Sequence, residues 1–355
     1  MVETRVVYLE PNKLTIETIT LPPLKPTQVL VKTHQASICG SERYFYRGIT
    51  VRPQDEAKGG PEVQLGDPKA GGEASHAYPM GPLGHEGGGT IVEMGSAVDE
   101  YLGGGTVHVG DRVGSLIYPT YTDYWVTDIR NVQPIPAGVS FEVGCLYEPL
   151  GCAVWAARHM GVKLGDTVAV NGVGFAGNIL LQGAIKSGAS MVIAVDVVPE
   201  KLEVARELGA THIINAKETD PVAAVDEITR GEGVDVAVEA IGGAGVGIVQ
   251  ALGMVRHNGI MALYGDNYAP VKEFCFHRFH EDGLEIRNLN AVHYTRLRSV
   301  ENMREAFRAV QRGVFNLDII FAHSQRYTLD QLPQVFAQEA AALDQQGSLK
   351  TIITP

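Results

Sequence analysis

Thr167-Val-Ala-Val-Asn-Gly-Val-Gly-Phe-Ala-Gly177 opens the stretch that decides the fold, and Met191-Val-Ile-Ala-Val-Asp196 closes it. The β-branched run Thr167–Val170 predicts a short buried strand. Gly172, Gly174 and Gly177 follow at G-x-G-x-x-G spacing. An apolar helical period then runs through Phe175, Ile179, Leu180, Ala184 and Ile185, and Gly188 ends it. Met191–Val195 predicts a second buried strand, with Asp196 at its end. Gly172 permits a tight turn, Gly174 lets the backbone approach a pyrophosphate, and Gly177 lets the helix pack close to the sheet. The helix start at Phe175 and Ala176 offers unpaired N–H groups to phosphate. Asp196 stands about 20 residues after the glycines, where a carboxylate hydrogen-bonds the ribose hydroxyls. A glycine triplet alone is a weak signal, because turns collect glycines. Here strand, glycines, helix, strand and acid occur in order, and together they predict a dinucleotide site. Asp196 would repel a 2′-phosphate, so NAD is expected over NADP. Lys201 is within reach of the ribose, although a solvated helix lysine explains it equally well.

Outward from this unit, residues 165–290 alternate strand and helix patterns. Candidate strands are Thr167–Val170, Met191–Val195, His212–Ile214, Val234–Val238, Ile260–Tyr264 and Leu284–Leu289. The pattern predicts an α/β fold with a doubly wound parallel Rossmann sheet. Before it, Val6–Leu9, Leu14–Ile19 and Val29–Lys32 alternate apolar and polar residues, as antiparallel strands do. Residues 124–134 read as further strand. Residues 48–83 are rich in glycine, proline and charge and predict a long loop. The cofactor unit, 151–292, is thus flanked by a β-rich domain made of 1–150 and 293–355.

The chain has 355 residues, 45% of them hydrophobic and 20% charged, with a net charge of −12. That composition suits a soluble globular protein of about two domains. With no basic run, nucleic acid and anionic membranes are poor partners. No apolar run reaches the roughly 18 residues of a membrane span, and the start lacks a signal-peptide pattern. Four cysteines, at 39, 145, 152 and 275, are too few for a disulfide framework. A cytoplasmic location is expected.

Cys39, His85, Glu86 and Glu148 carry the ligand types that zinc prefers. Singly, each has a plain structural reading: a buried thiol, a bonded core histidine, a helix-start acid. Their joint context is more telling. Cys39-Gly-Ser-Glu, Gly84-His-Glu with its glycines and Val92, Gly110-Asp-Arg-Val, Pro134-Ile-Pro, Glu148-Pro-Leu, the glycine motif, Asp196 and Val238-Glu-Ala-Ile-Gly242 occur in sequence order. Over nearly its whole length the chain resembles the zinc-dependent medium-chain dehydrogenases/reductases, in the branch acting on polyols, sugars and secondary alcohols.

The resemblance implies a GroES-like catalytic domain and one catalytic zinc. Cys39, His85 and a carboxylate from Glu86 or Glu148 would hold the metal, leaving one position open. It also implies a proton path through Ser41, with Glu42 beside the ligands. Glu86 and Glu148 are both candidates for catalytic work, one binding the metal and the other exchanging in during turnover. The expected reaction is hydride transfer from a secondary alcohol, sugar or cyclitol hydroxyl to NAD. Expected partners are a small-molecule substrate and further copies of the chain, as a homodimer or homotetramer. Three departures stand out. The family's four-cysteine lobe is missing, so no structural zinc is expected. Tyr44 replaces a relay histidine. The interval from Cys39 to His85 is about twice the usual one, so 48–83 reads as an insertion at the mouth of the site. Two alternatives remain: a zinc-free enone or quinone reductase using NADPH, and a non-catalytic NAD-binding scaffold. Cys39, His85, Glu148 and Asp196 count against the first, and the intact ligand set against the second.

Overall fold

The computed structural model describes residues 2–48, 79–115, 117, 119–267, 271, 277–289, 296–341 and 348–355. Most of the expected 48–83 loop lies outside these residues, as does Cys275. Its last part does not: Met80 and Leu9 exchange backbone hydrogen bonds, and Leu83 N–H donates to Val7.

Strands β1 (Glu3–Glu10) and β2 (Lys13–Thr20) form an antiparallel pair. Strands β3 (Gln28–Ser37), β4 (Glu86–Met94), β5 (Arg112–Ser115), β6 (Tyr124–Asp128) and β7 (Val132–Pro134) follow. The alternation of β3 turns Val29 and Val31 into a core with Ile91, Val113 and Trp125. Next come β8 (Thr167–Asn171), β9 (Met191–Asp196), β10 (His212–Asn215), β11 (Val234–Glu239), β12 (Val255–Leu263) and β13 (Glu285–Asn288). These six form one parallel sheet in the order β10-β9-β8-β11-β12-β13. The order reverses between β8 and β11, and such a switch point opens a crevice at the carboxyl ends of the strands. Finally β14 (Gln325–Thr328) and β15 (Thr351–Thr354) return to the first unit. Its seven-stranded sheet runs β14-β15-β3-β4-β5-β7, with β6 also pairing β3.

Within the parallel sheet, β12 departs furthest from its expected bounds. β12 begins at Val255, not Ile260, because Val255 pairs with Val234 before the register shifts. The polar turn residues Arg256–Gly259, with Asn258 at φ 56°, hide that start from any apolar pattern. β12 also stops at Leu263, which leaves Tyr264 just beyond the strand.

The two sheets share a core. The helix Tyr147–His159 crosses from one to the other, and Leu146, Leu150 and Ala153 pack with Phe175, Ile179, Ile320 and Ile352. Burying each large apolar side chain stabilises by about 1.5–3 kcal/mol, so the crevice has firmly packed walls. No helix among the described residues is long and apolar enough to cross a membrane.

Candidate active site

The glycine loop has the geometry that its sequence predicts. Gly172 sits at φ +97°, a conformation only glycine adopts freely. A Cβ on Gly177 would lie 1.9 Å from the Gly172 carbonyl oxygen, so any side chain there would force helix and loop apart. A Cβ on Gly174 would meet nothing within 4 Å. The helix Phe175–Lys186 therefore opens towards vacant space, where its first N–H groups can reach an anion. Asn178 braces the loop by donating to the carbonyls of Val173 and Gly174. Asp196 has a duty the sequence did not show. Its carboxylate accepts N–H bonds from Val173, Val197 and Val198, tying the glycine turn to the end of β9. Ala176 lies in the first turn of the glycine-loop helix, and Lys201 in the first turn of the helix Pro199–Glu207.

The candidate metal ligands meet through sheet register. Antiparallel pairing sets Ser37 of β3 opposite Glu86 of β4. Cys39 lies just past one end of that pair and His85 just before the other, so both fall at the same edge. Ligand atoms of Cys39, His85 and Glu86 lie within 4.8 Å of one another. β15 pairs with β3 on the other side, Ile352 opposite Ser37. That pairing delivers Lys350, whose Nζ donates to Glu86 Oε2 at 2.6 Å. Ser37 Oγ donates to the same oxygen. Glu86 Oε1 is buried and has no hydrogen-bond partner among the described residues. A buried lone carboxylate oxygen is costly, and a cation between Cys39 and His85 would satisfy it.

The surrounding groups orient this cluster. His85 Nδ1–H donates to Glu42 Oε1 at 3.0 Å, which fixes the tautomer with its lone pair on Nε2. Glu42 is fully buried and accepts from Tyr121 Oη and from the Cys39 N–H. Ser41 Oγ donates to Cys39 Sγ at 3.3 Å. Burial alone would lower the Lys350 pKa, but Glu86 and Cys39 outweigh it and raise the value, so the ammonium stays charged. Its Nζ also lies 5.1 Å above the Phe175 ring, at the glycine loop.

Glu148 stands apart from the three-ligand group. Its Oε1 accepts from Cys152 Sγ at 3.1 Å, one helical turn along. Burial raises the Glu148 pKa; His85 opposes and Glu86 adds to the shift. Burial, then Glu148, pushes the Cys152 thiol well up. The sequence reading missed Ser37, Tyr121, Cys152 and Lys350. Only Cys152 left a visible signal: it follows Glu148 at i,i+4 on a helix.

Two family models match the chain: an alcohol dehydrogenase GroES-like domain over residues 25–152 and a zinc-binding dehydrogenase over residues 176–312. Sorbitol dehydrogenase of Bacillus subtilis (strain 168) is 30% identical over 277 residues, covering 72% of this chain and 72% of that protein. This chain is a medium-chain dehydrogenase/reductase. Its β-rich sheet is the GroES-like unit and its parallel sheet the Rossmann unit, as the sequence predicted. (R,R)-butanediol dehydrogenase of the same organism is 30% identical over 246 residues, with 64% of this chain and 67% of that one covered. A solved structure from Sinorhizobium meliloti 1021, bound to NADP, superposes with a TM-score of 0.77 at 23% identity over 100% of both chains. This medium-chain dehydrogenase is accordingly an oxidoreductase of the NAD(P)-dependent alcohol and polyol type.

Proposed function

We propose that this dehydrogenase oxidises a secondary hydroxyl of a polyol, sugar or cyclitol with NAD, using one zinc ion held by Cys39, His85 and Glu86. The unpartnered buried Oε1 of Glu86, set among a thiol and an imidazole, carries the reading. That donor set suits zinc and leaves a tetrahedral position for substrate. The likeness to sorbitol and butanediol dehydrogenases supports the substrate class. Bound there, zinc supplies Lewis acidity towards a substrate hydroxyl, and NAD in the glycine loop supplies the hydride acceptor.

The chain's own residues do the rest. Glu42 holds the His85 ring in its metal-binding tautomer. Ser37 and Lys350 hold Glu86 by Oε2, which points Oε1 at the metal position. Ser41, beside Cys39, takes the proton from the substrate hydroxyl and passes it outward. Glu148 accepts a proton or a metal contact only as the site rearranges. Asp196 serves the ribose with the lone pairs its backbone bonds leave over, and favours NAD over NADP. The same reading takes residues 1–150 with 293–355 as the catalytic domain and 151–292 as the cofactor domain. It also takes the enzyme as a homo-oligomer without a structural zinc.

Elemental analysis of purified protein, together with an NAD-reduction screen over polyols, aldoses, inositols and simple secondary alcohols, tests this reading. The expected result is about one zinc per chain and turnover with at least one such alcohol. Active protein free of zinc, or faster reduction of quinones by NADPH than oxidation of any alcohol, would overturn it.

A further inference from the structure

Tyr264 follows directly on β12, at the carboxyl end of the parallel sheet where the crevice opens. Its backbone N–H bonds to Glu239 at the end of β11, which anchors it beside the switch point. The half-buried side chain packs on both the Rossmann core and the core shared by the two sheets. Three phenols of the catalytic unit are committed: Tyr121 to Glu42 and the Ser37 carbonyl, Tyr46 to the Asn12 carbonyl, Tyr101 to Asp111. Tyr147 lacks a partner, but it is fully buried against Phe307. The Tyr264 hydroxyl also has no partner among the described residues, and unlike Tyr147 it is not sealed in. Burial, then the charges of Cys152, Glu148, Cys39 and Glu86, raises its pKa well above the ordinary value. Those four residues are the metal cluster and its neighbours, and the phenol stays protonated beside them.

We propose that Tyr264 hydrogen-bonds a second hydroxyl of the substrate, on the carbon next to the one oxidised, and so selects vicinal diols over simple secondary alcohols. The inference rests on the alcohol-oxidising reading above. A phenol both donates and accepts, as a sugar hydroxyl does. A half-buried phenol facing an apolar substituent would lose its water without gaining a partner, and this penalises mono-alcohols.

2,3-Butanediol and 2-butanol differ by this one hydroxyl and make the test. Tyr264→Phe keeps the ring and removes only the donor. For the variant, kcat/KM on 2,3-butanediol should fall about tenfold, mainly through KM. The value for 2-butanol should hold or rise, because the hydroxyl that had no partner against it is gone, with zinc content unchanged. Equal losses on both alcohols, no loss on either, or loss of zinc from the variant would each overturn the proposal. If the wild-type enzyme ignores 2,3-butanediol but oxidises another alcohol of the wider screen, the proposal fails alone. If it oxidises none, the reading beneath it fails.

Discussion

The glycine loop and the candidate metal cluster approach each other, with Lys350 Nζ 5.1 Å from the Phe175 ring, yet they are assembled differently. Gly172 to Asp196 form their site within one strand–helix–strand unit, and its bonds join near neighbours: Asn178 to Val173, Asp196 to Val197 and Val198. Cys39, His85, Glu86 and Lys350 come from distant segments and meet only because β15, β3 and β4 lie side by side in a given register. The first site is local and survives as a motif. The second depends on the whole sheet, and a one-residue slip would turn its ligands to the wrong face.

The largest effects should come from the assembled cluster. Cys39→Ala or His85→Ala should abolish zinc binding and lower kcat/KM by roughly a thousandfold or more, since the Lewis acid is lost. Metal analysis beside steady-state kinetics reads both; full zinc with such a kinetic loss would place the metal elsewhere. Lys350→Met leaves Glu86 buried without its cation, which costs about 3–5 kcal/mol. Urea unfolding of the metal-free protein would measure it, and a change near zero would show that Glu86 is compensated by another group.

Smaller effects are expected in the local unit. Gly177→Ala should destabilise the fold by about 1–3 kcal/mol, because the added methyl meets the Gly172 carbonyl. A raised KM for NAD should accompany the drop in melting temperature. The smallest change is Asp196→Asn, where one oxygen that accepts backbone N–H bonds becomes a donor. A loss of about tenfold in kcat/KM with NAD is expected, with NADP less affected. Equal losses with both cofactors would leave Asp196 only its role in bracing the loop.

The sequence was legible to different depths. Residues 165–290 could be read strand by strand because buried β-branched runs and glycine stops mark each element. The exception, the start of β12, is masked by polar residues at a register shift. At the candidate metal site the residue types of Cys39, His85 and Glu86 were plain, but which of Glu86 and Glu148 would lie with the thiol and imidazole was not. Spacing along the chain says nothing about which carboxylate a lysine from the far end will hold.

What the sequence determined by itself is the strand–glycine–helix–strand unit, since its turn, helix start and acid lie within one contiguous stretch from Gly172 to Asp196 and are shaped by backbone sterics. Tertiary structure alone decided that Lys350 and Ser37 grip one oxygen of Glu86, that Glu42 steers His85, and that Tyr264 packs on two cores at once. Those relations are set by strand register and by the packing of two sheets on a common core. They exist only once residues far apart in the chain, Lys350 and Glu86 the farthest, have been brought to hydrogen-bond distance.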